Sequence, residues 1–389
     1  MSYLDIVSDA NNLYDAFKKV KKSSPWKTST QRCELNILKI INNLQNNLRN
    51  NTYKQQPYTE FIIRERDKIR PIRAQHAVDK IVQHSLCDNV LIPILRKKLI
   101  HDNGASLEGK GIQFSRDRIK VHLRKYLRDH SDGYILLIDF RKFFDNIPHN
   151  LFLERVQNCL NNDYSLEPIL KHILESFCAN MSYMTDEEWD NIDNFVFNSF
   201  EYRQNRKISD NTNSKILHRS LGIGSQISQI GGVFYPTYID NYFKTVLGIK
   251  YYGRYMDDVY IIHENKEYLK ELCDIFCTKA NDLHMFINKK KTQIRRLTHG
   301  FTFLKMHYKV KDKYIKIAAD NSLFIRERRR LKKLKKKCDD NVISFETILN
   351  CYKSWRGTVQ RYANKPLNLQ YTDDLFVDLF YKHLNKEVA

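Results

Sequence analysis

One stretch constrains this chain more than any other: residues 251–264, YYGRYMDDVYIIHE. Asp257 and Asp258 stand side by side at its centre, with Tyr251-Tyr252-Gly253-Arg254-Tyr255 before them and Val259-Tyr260-Ile261-Ile262 after. Flanks rich in β-branched and aromatic residues read as strands. Neighbours on a strand point to opposite faces. Two adjacent carboxylates that are to face one point therefore belong at the tip of a tight turn. The stretch predicts a hairpin with paired acids at its tip. Such a pair suits a divalent metal, and metal suits phosphoryl transfer, provided a third carboxylate arrives from elsewhere.

A third carboxylate is present. Gly133-Tyr-Ile-Leu-Leu-Ile-Asp139 is a continuous apolar run that ends in an acid, the pattern of a buried strand delivering Asp139 at its end. Burying an acid there without a metal or a cation costs several kcal/mol, so a functional reading outweighs a structural one. Phe140 to Phe144 follow, then Asp145-Asn146-Ile147-Pro148-His149 and a helix starting near Asn150.

Charge narrows the partner. Lys and Arg exceed Asp and Glu by 20, and the pI is near 9.4. Such an excess attracts polyanions, chiefly nucleic acid. A merely soluble basic surface is the alternative, but 23 Tyr among 12% aromatic residues lean towards nucleic acid, because bases stack on rings. A chain of 389 residues can bury two or three cores. No run of 18 apolar residues exists, and MSYLDIVSDANNLYDAFKKV lacks the apolar core of a signal peptide, so no membrane span and a cytoplasmic location are expected. The eight cysteines are scattered. Cys273 and Cys277 are i,i+4, but no matching Cys or His pair follows at zinc-site spacing, so all eight read as reduced thiols, mostly core.

Residues 1–55 read as a helical extension broken at Ser24-Pro25, with Leu35, Leu38, Ile41, Leu44 and Leu48 among the apolar positions of its second part. Tyr58 to Arg73 reads as a hairpin turning near Glu65-Arg66-Asp67. Alternation puts Lys68, Arg70 and Ile72 on one face. Two cations there fit either a clamp on a triphosphate or a solvated basic strand. Ala74 to Arg96 is helical. Asp102 to Gly111 is a glycine-rich loop without P-loop spacing, read as lying near a nucleic-acid path. Ile112 to Arg128 is a helix with a basic face of Arg116, Arg118, Lys120, Arg124 and Lys125. Residues 151–220 read as helical and then loop-like, with a polar stretch from Gln204 to Ser214. Leu221 to Gln229 opens a helix running to about Leu247, and Gly222 and Gly224 within that opening let backbone approach a ligand. Phe286 to Ile294, with Lys289-Lys290-Lys291-Thr292, reads as one strand, and Gly300 to Tyr308 as another. Arg326 to Lys337, RERRRLKKLKKK, is a basic helix, in which Arg329 and Lys333 are candidates for backbone contact with nucleic acid. Residues 344–383 are helical, with Tyr352, Trp355, Tyr362 and Leu367 as expected core.

Asp139, Gly224-Ser-Gln-Ile-Ser-Gln229, Asp257-Asp258, Lys291 and Phe303-Leu304 stand in an order and spacing that resembles reverse transcriptases. The resemblance covers residues 56–310. It extends weakly through Ser354-Trp355-Arg356-Gly357 and Asn364, which look like the thumb segment of bacterial enzymes. It implies an α+β right-hand polymerase: fingers at 56–130, a palm at 131–310 with an inserted segment at about 151–220, and a helical thumb at 311–389. It implies RNA-directed DNA synthesis with two Mg²⁺ ions, Mn²⁺ being the substitute ion, held by Asp139, Asp257 and Asp258 and the backbone carbonyl of Phe140. Phe144 falls at the family's steric gate against the ribose 2′-hydroxyl. Lys68 and Arg70 match the fingers residues that hold the triphosphate, and Lys291 the proton donor near the pyrophosphate. Phe303-Leu304 falls at the primer grip, where Lys305 replaces the family's usual Gly. Trp355 and Arg356 match thumb positions facing primer and template.

Most members carry Gln-Gly-x-x-x-Ser-Pro at the palm helix. Here Ile223 replaces Gln and Gln229 replaces Pro. Ile-Gly-x-x-x-Ser-Gln is similar to the enzymes of diversity-generating retroelements, in which this change goes with adenine-directed infidelity. Those enzymes work with a small basic accessory protein and a structured template RNA. Phage-defence reverse transcriptases are the alternative. Group II intron or retron enzymes are a further rival, although no endonuclease or RNase H segment is expected after the thumb. A non-catalytic nucleic-acid-binding scaffold of the same fold would tolerate damaged acids, yet all three are present.

Overall fold

In the computed structural model of the chain, residues 2–65, 68–205, 215–360 and 366–384 are described. They divide into two compact units: Met1–Gly111 with Leu137–Tyr260 and Glu271–Gln293, and Ile112–Leu136 with Ile261–Lys270 and Ile294–Ala389. Among the described residues no helix is long and apolar enough to cross a membrane.

The first unit begins with α1 (Tyr3–Val7), α2 (Ala10–Ser23), α3 (Thr28–Leu35) and α4 (Ile37–Arg49). Asp9 caps α2 by accepting the N–H groups of Asn11 and Asn12, and Leu13, Ala16, Phe17 and Val20 recur at helical spacing on its buried face. Leu35 and Leu38, expected on the apolar side, are exposed; Ile41, Leu44 and Leu48 carry the burial. The helices pack directly on the rest of this unit: Ser85 Oγ donates to Val7 O at 2.7 Å, and Tyr53 OH to Asp79 at 2.8 Å. Next come β1 (Thr59–Glu65) and β2 (Lys68–Ala74), the expected antiparallel hairpin, in which Glu65 pairs Lys68. Arg66 and Asp67, expected at its turn, lie outside the described residues. The helical stretch after it is α5 (Ala77–Leu86), a π turn and α6 (Ile92–Leu95).

The second unit takes up α7 (Ile112–Asp129) and the start of β3 (Tyr134–Arg141), which runs on into the first unit. β3 continues two residues past Asp139, so the acid lies near its end and not at it. The inserted segment is α8 (His149–Cys159), α9 (Glu167–Glu175), β4 (Ala179–Asn180), α10 (Asp186–Asp190), α11 (Ser199–Asn205) and β5 (Ile216–Leu217). β4 pairs with β5 over a small core of Met181, Met184, Phe197, Tyr202 and Leu217. Most of the polar stretch expected here, residues 206–214, lies outside the described residues.

The long helix expected from Leu221 to Leu247 is divided into α12 (Gln226–Phe234), α13 (Thr237–Asn241) and a π turn. Pro236 lies at the break, because it has no N–H for the Gly232 carbonyl. Then come β6 (Tyr252–Tyr255), β7 (Asp258–His263), α14 (Lys266–Asn281), β8 (Phe286–Ile287) and β9 (Gln293–Arg296). Strands β6, β7, β3 and β8 hydrogen-bond in that order, and β9 also pairs β3. The strand expected over 286–294 is therefore two strands with a turn between, and Lys289 to Thr292 occupy the turn. The strand expected over 300–308 is likewise two, β10 (Phe301–Phe303) and β11 (Met306–Lys311), and β12 (Tyr314–Ala319) completes that sheet.

The second unit ends in α15 (Asn321–Asp339), α16 (Phe345–Gln360) and α17 (Pro366–Leu384) around Leu331, Ile348, Tyr352, Phe376 and Phe380. Leu367, expected in this core, is exposed at the start of α17; the helix turns Leu369, Phe376 and Phe380 inward instead. Tyr362 and Asn364 lie outside the described residues.

Candidate active site

The hairpin β6–β7 closes through Met256 and Asp257. Met256 takes a φ of 52°, the left-handed region that L-residues enter at a cost of about 1–2 kcal/mol. That conformation makes the turn tight enough to put Asp257 and Asp258 at its end, both partly exposed. The tip is tied to β3 at the residue after Asp139: Phe140 N–H donates to Asp257 O at 3.3 Å. The Phe140 ring is buried against Phe143 and Phe276, at 5.4 and 5.6 Å, so only its backbone can serve the site.

Asp139 is held from the other side by the turn after β8. Asn288 N–H donates to Asp139 O at 2.7 Å, and Asn288 Nδ2 to the carboxylate at 3.1 Å. The same turn brings Lys291 round, its Nζ 3.1 Å from both carboxylate oxygens. Lys291 is thus delivered by a turn and not by a strand face. Lys291 is paired with Asp139, and the residue after Asp139 is bonded through its backbone to Asp257.

Beneath the tip lies an ion pair that the sequence did not single out. Arg254, fully buried on β6, donates to both oxygens of buried Asp240, at 2.6 to 3.0 Å. It also donates to Val233 O at 2.7 Å and to Met256 O at 3.1 Å, so it braces the turn itself. Burial alone would lower the guanidinium's pKa, but Asp240 more than reverses this, with Tyr252 and Asp257 adding to the effect, and the pKa is raised. Tyr252 OH donates to Asp240 at 2.6 Å; burial, then Asp240, push its pKa well above the phenolic range. The loop 102–111 straps the edge of β6: Arg254 N–H donates to Asp102 O and Gly104 N–H to Arg254 O, at 3.2 and 3.0 Å. The one available signal was an arginine inside an otherwise aromatic strand.

The candidate nucleotide-binding residues are set by contacts between β2, the 221–225 loop and α12. Arg73 N–H donates to Ile223 O at 3.3 Å. Gly224 has φ 122°, and a Cβ there would stand 3.3 Å from Arg73 O and from the Ile72 side chain, so any other residue is strained there and crowds β2. Ser225 caps α12 by accepting Ser228 N–H, and Gln229 is exposed one turn on. Phe144 is half-buried, its ring over Gly232, where a Cβ would meet Phe144 Cε1 at 2.6 Å. Arg70 is exposed on β2; the Lys68 side chain lies outside the described residues.

In the second unit, Phe303 pairs Met306 and the connecting Leu304 and Lys305 both have positive φ, 46° and 66°. This is the tight hairpin turn for which glycine is usual, formed here without one. Arg116 compensates: it is buried, not part of the basic face of α7, and its Nε and Nη2 donate to Leu304 O at 3.1 and 2.6 Å. Arg329 and Lys333 are exposed on α15. Trp355 stacks on Tyr352 at 5.6 Å and meets Phe324 edge-on, while Arg356 donates to Asp373 at 2.8 and 3.0 Å, joining α16 to α17.

No curated protein matches this sequence. Among solved structures the chain is similar to telomerase from Candida albicans in complex with a telomeric RNA fragment, at 12% identity and TM-score 0.44, over 86% of this chain and 61% of that one. It is also similar to apo telomerase from Candida tropicalis, at 15% identity and TM-score 0.42, over 85% and 63% of the two chains. The chain thus spans about three fifths of the length of these structures. Residues 54–308 match the family described as reverse transcriptase (RNA-dependent DNA polymerase). That match spans Asp139, the hairpin with Asp257 and Asp258, and Lys291, and the chain belongs to the reverse transcriptase family of RNA-directed DNA polymerases, with their right-hand fold.

Proposed function

We propose that this chain copies an RNA template into DNA by nucleotidyl transfer at Asp139, Asp257 and Asp258. The observation that supports this reading is the Phe140–Asp257 backbone bond, which ties the hairpin tip carrying Asp257 and Asp258 to β3 at the residue after Asp139. The donor set suits Mg²⁺: it is all oxygen, and Asp139 already draws a cation, the Lys291 ammonium, to both its oxygens. Two such ions, when bound, supply Lewis acidity that lowers the pKa of the primer hydroxyl and offsets charge on the leaving pyrophosphate. Lys291 leaves Asp139 and donates a proton at the pyrophosphate. Phe144 closes off the ribose 2′ position, which selects deoxynucleotides. Lys68 and Arg70 hold the triphosphate from β2. Phe303 and Leu304 seat the primer end, and Arg329, Lys333, Trp355 and Arg356 line the path of primer and template.

The domain roles follow: residues 1–55 an extension, 56–130 fingers, 131–310 palm, 311–389 thumb. The cytoplasm is the compartment proposed for it. Ile223 and Gln229 favour low fidelity, as in diversity-generating retroelements, with a structured RNA template and a small basic accessory protein as partners. Physically, an isoleucine in place of a glutamine removes a hydrogen-bonding check beside the incoming base. A phage-defence role is the second reading, since the same palm serves it and the motif varies there.

The test is primer extension on a mixed-sequence RNA with Mg²⁺ and the four dNTPs, followed by sequencing of the product. Extension with errors gathered opposite template adenines supports both readings of the site. Extension with errors spread over all four bases keeps the polymerase and overturns the mutagenic reading. An inert wild-type chain overturns both.

A further inference from the structure

Three ligand-type side chains outside the polymerase site converge at the base of the inserted segment. His149 opens α8, Cys178 precedes β4 and His218 follows β5. Cys178 Sγ lies 3.6 Å from His149 Nδ1 and 3.3 Å from His218 Nδ1, and the three ligand atoms all fall within 4.8 Å of one another. Zinc–sulfur and zinc–nitrogen bonds of about 2.3 and 2.0–2.1 Å, at tetrahedral angles, require sulfur–nitrogen edges of about 3.5 Å. Both measured edges are already close to that value.

The surrounding backbone fixes each ligand separately. Ala179 pairs Leu217, next to Cys178 and His218 respectively. Pro148 bridges Arg219, and His149 N–H donates to His218 O at 3.0 Å. His149 Nε2 is 2.6 Å from Ser220 O. A carbonyl only accepts, so Nε2 carries the hydrogen and Nδ1 presents a bare lone pair towards Cys178. A ring nitrogen held by a backbone carbonyl while the other faces outward is the usual support for a metal-ligating histidine. His149 is buried, Cys178 half-buried and His218 exposed, which leaves an entry path.

We infer that His149 Nδ1, Cys178 Sγ and His218 Nδ1 bind one Zn²⁺, leaving a fourth tetrahedral position for water. The Cys178 thiol loses its proton to solvent as the sulfur–zinc bond forms. Sulfur and imidazole donors select zinc over Mg²⁺, so this ion is distinct from those at the carboxylates. Its position makes it a staple. It joins α8, β4 and β5 at the neck of the insert, and Ser220 leads straight into Gly222, Ile223 and Gly224. The spacing hid it: Cys178 is 29 residues from His149 and 40 from His218, far from any compact zinc motif.

Co²⁺ titration of the full chain, first stripped with chelator and held under reducing conditions, tests this. One equivalent is expected to raise thiolate-to-cobalt charge-transfer absorption with tetrahedral visible bands. Zn²⁺ should remove both, and excess Mg²⁺ neither. Cys178→Ala should abolish the charge-transfer band, and Cys277→Ala should leave it. His218→Ala, at an exposed position, should weaken Zn²⁺ at least tenfold, and Zn²⁺ should raise the melting temperature of wild type but not of Cys178→Ala. A wild-type chain without the band, or an equal band in Cys178→Ala, overturns the site and leaves a thiol hydrogen-bonded between two imidazoles.

Discussion

Asp139 meets a cation before any metal arrives. Lys291 reaches both of its oxygens, from a turn anchored to the same residue's backbone by Asn288. On the proposed reading the ammonium and the metal would compete for one carboxylate, while the chemistry needs the ammonium at the pyrophosphate. Lys291→Ala therefore has two opposed effects. Half-maximal activity should need less Mg²⁺, and the rate at saturating Mg²⁺ should fall roughly 10²-fold, within the usual range for loss of a general acid. A Mg²⁺ titration of primer extension reads both; an unchanged metal requirement would show that the ion pair does not bear on metal binding. Arg254 works one layer deeper. Arg254→Met leaves Asp240 buried with its main cation gone, and should cost roughly 3–5 kcal/mol in urea unfolding. A loss under about 1 kcal/mol would mean that the pair is not what braces the hairpin.

At the scale of elements, the site depends on small residues that let aromatic rings and backbone approach. Gly232 on α12 lies under Phe144, and an added Cβ would stand 2.6 Å from that ring and 3.2 Å from Phe143. Gly232→Ala should displace the ring and reduce discrimination against ribonucleotides by roughly 10- to 100-fold. The ratio of kcat/KM for a dNTP and its rNTP measures this. An unchanged ratio in Gly232→Ala together with a lowered one in Phe144→Ala would mean that the ring finds another route to the same place. The hairpins and acids were legible because their signals are local: period-two alternation, paired carboxylates, an apolar run ending in an acid. What the sequence hid were the turns. The strand expected at 286–294 bends because Asn288 bonds backwards to Asp139, a contact 149 residues away. The turn at Leu304-Lys305 forms without glycine because Arg116, 188 residues distant, holds its carbonyl. Arg116 was assigned to a basic surface for the same reason: helical spacing places a residue on a face but does not tell which cations a distant carbonyl will bury. The cysteines show the same limit, since only Cys33, Cys87 and Cys338 are buried.

Across the whole molecule the dominant quantity is charge. An excess of 20 cations favours any polyanion over a neutral partner, and on α15 the cations Arg329 and Lys333 are exposed. Binding of a primer–template duplex should then weaken steeply with salt, at least about 10²-fold between roughly 50 and 200 mM. A nearly flat dependence would show that base stacking and not phosphate contact holds the substrate. That binding would occur in a scaffold as well as in an enzyme, so it does not decide the central claim. Single-turnover primer extension on RNA by wild type and Asp257→Ala, both checked for equal duplex binding, decides it most directly. Wild type should extend with Mg²⁺, and Asp257→Ala at a rate at least about 10³-fold lower; equal extension by the two would mean that these carboxylates do not carry the chemistry.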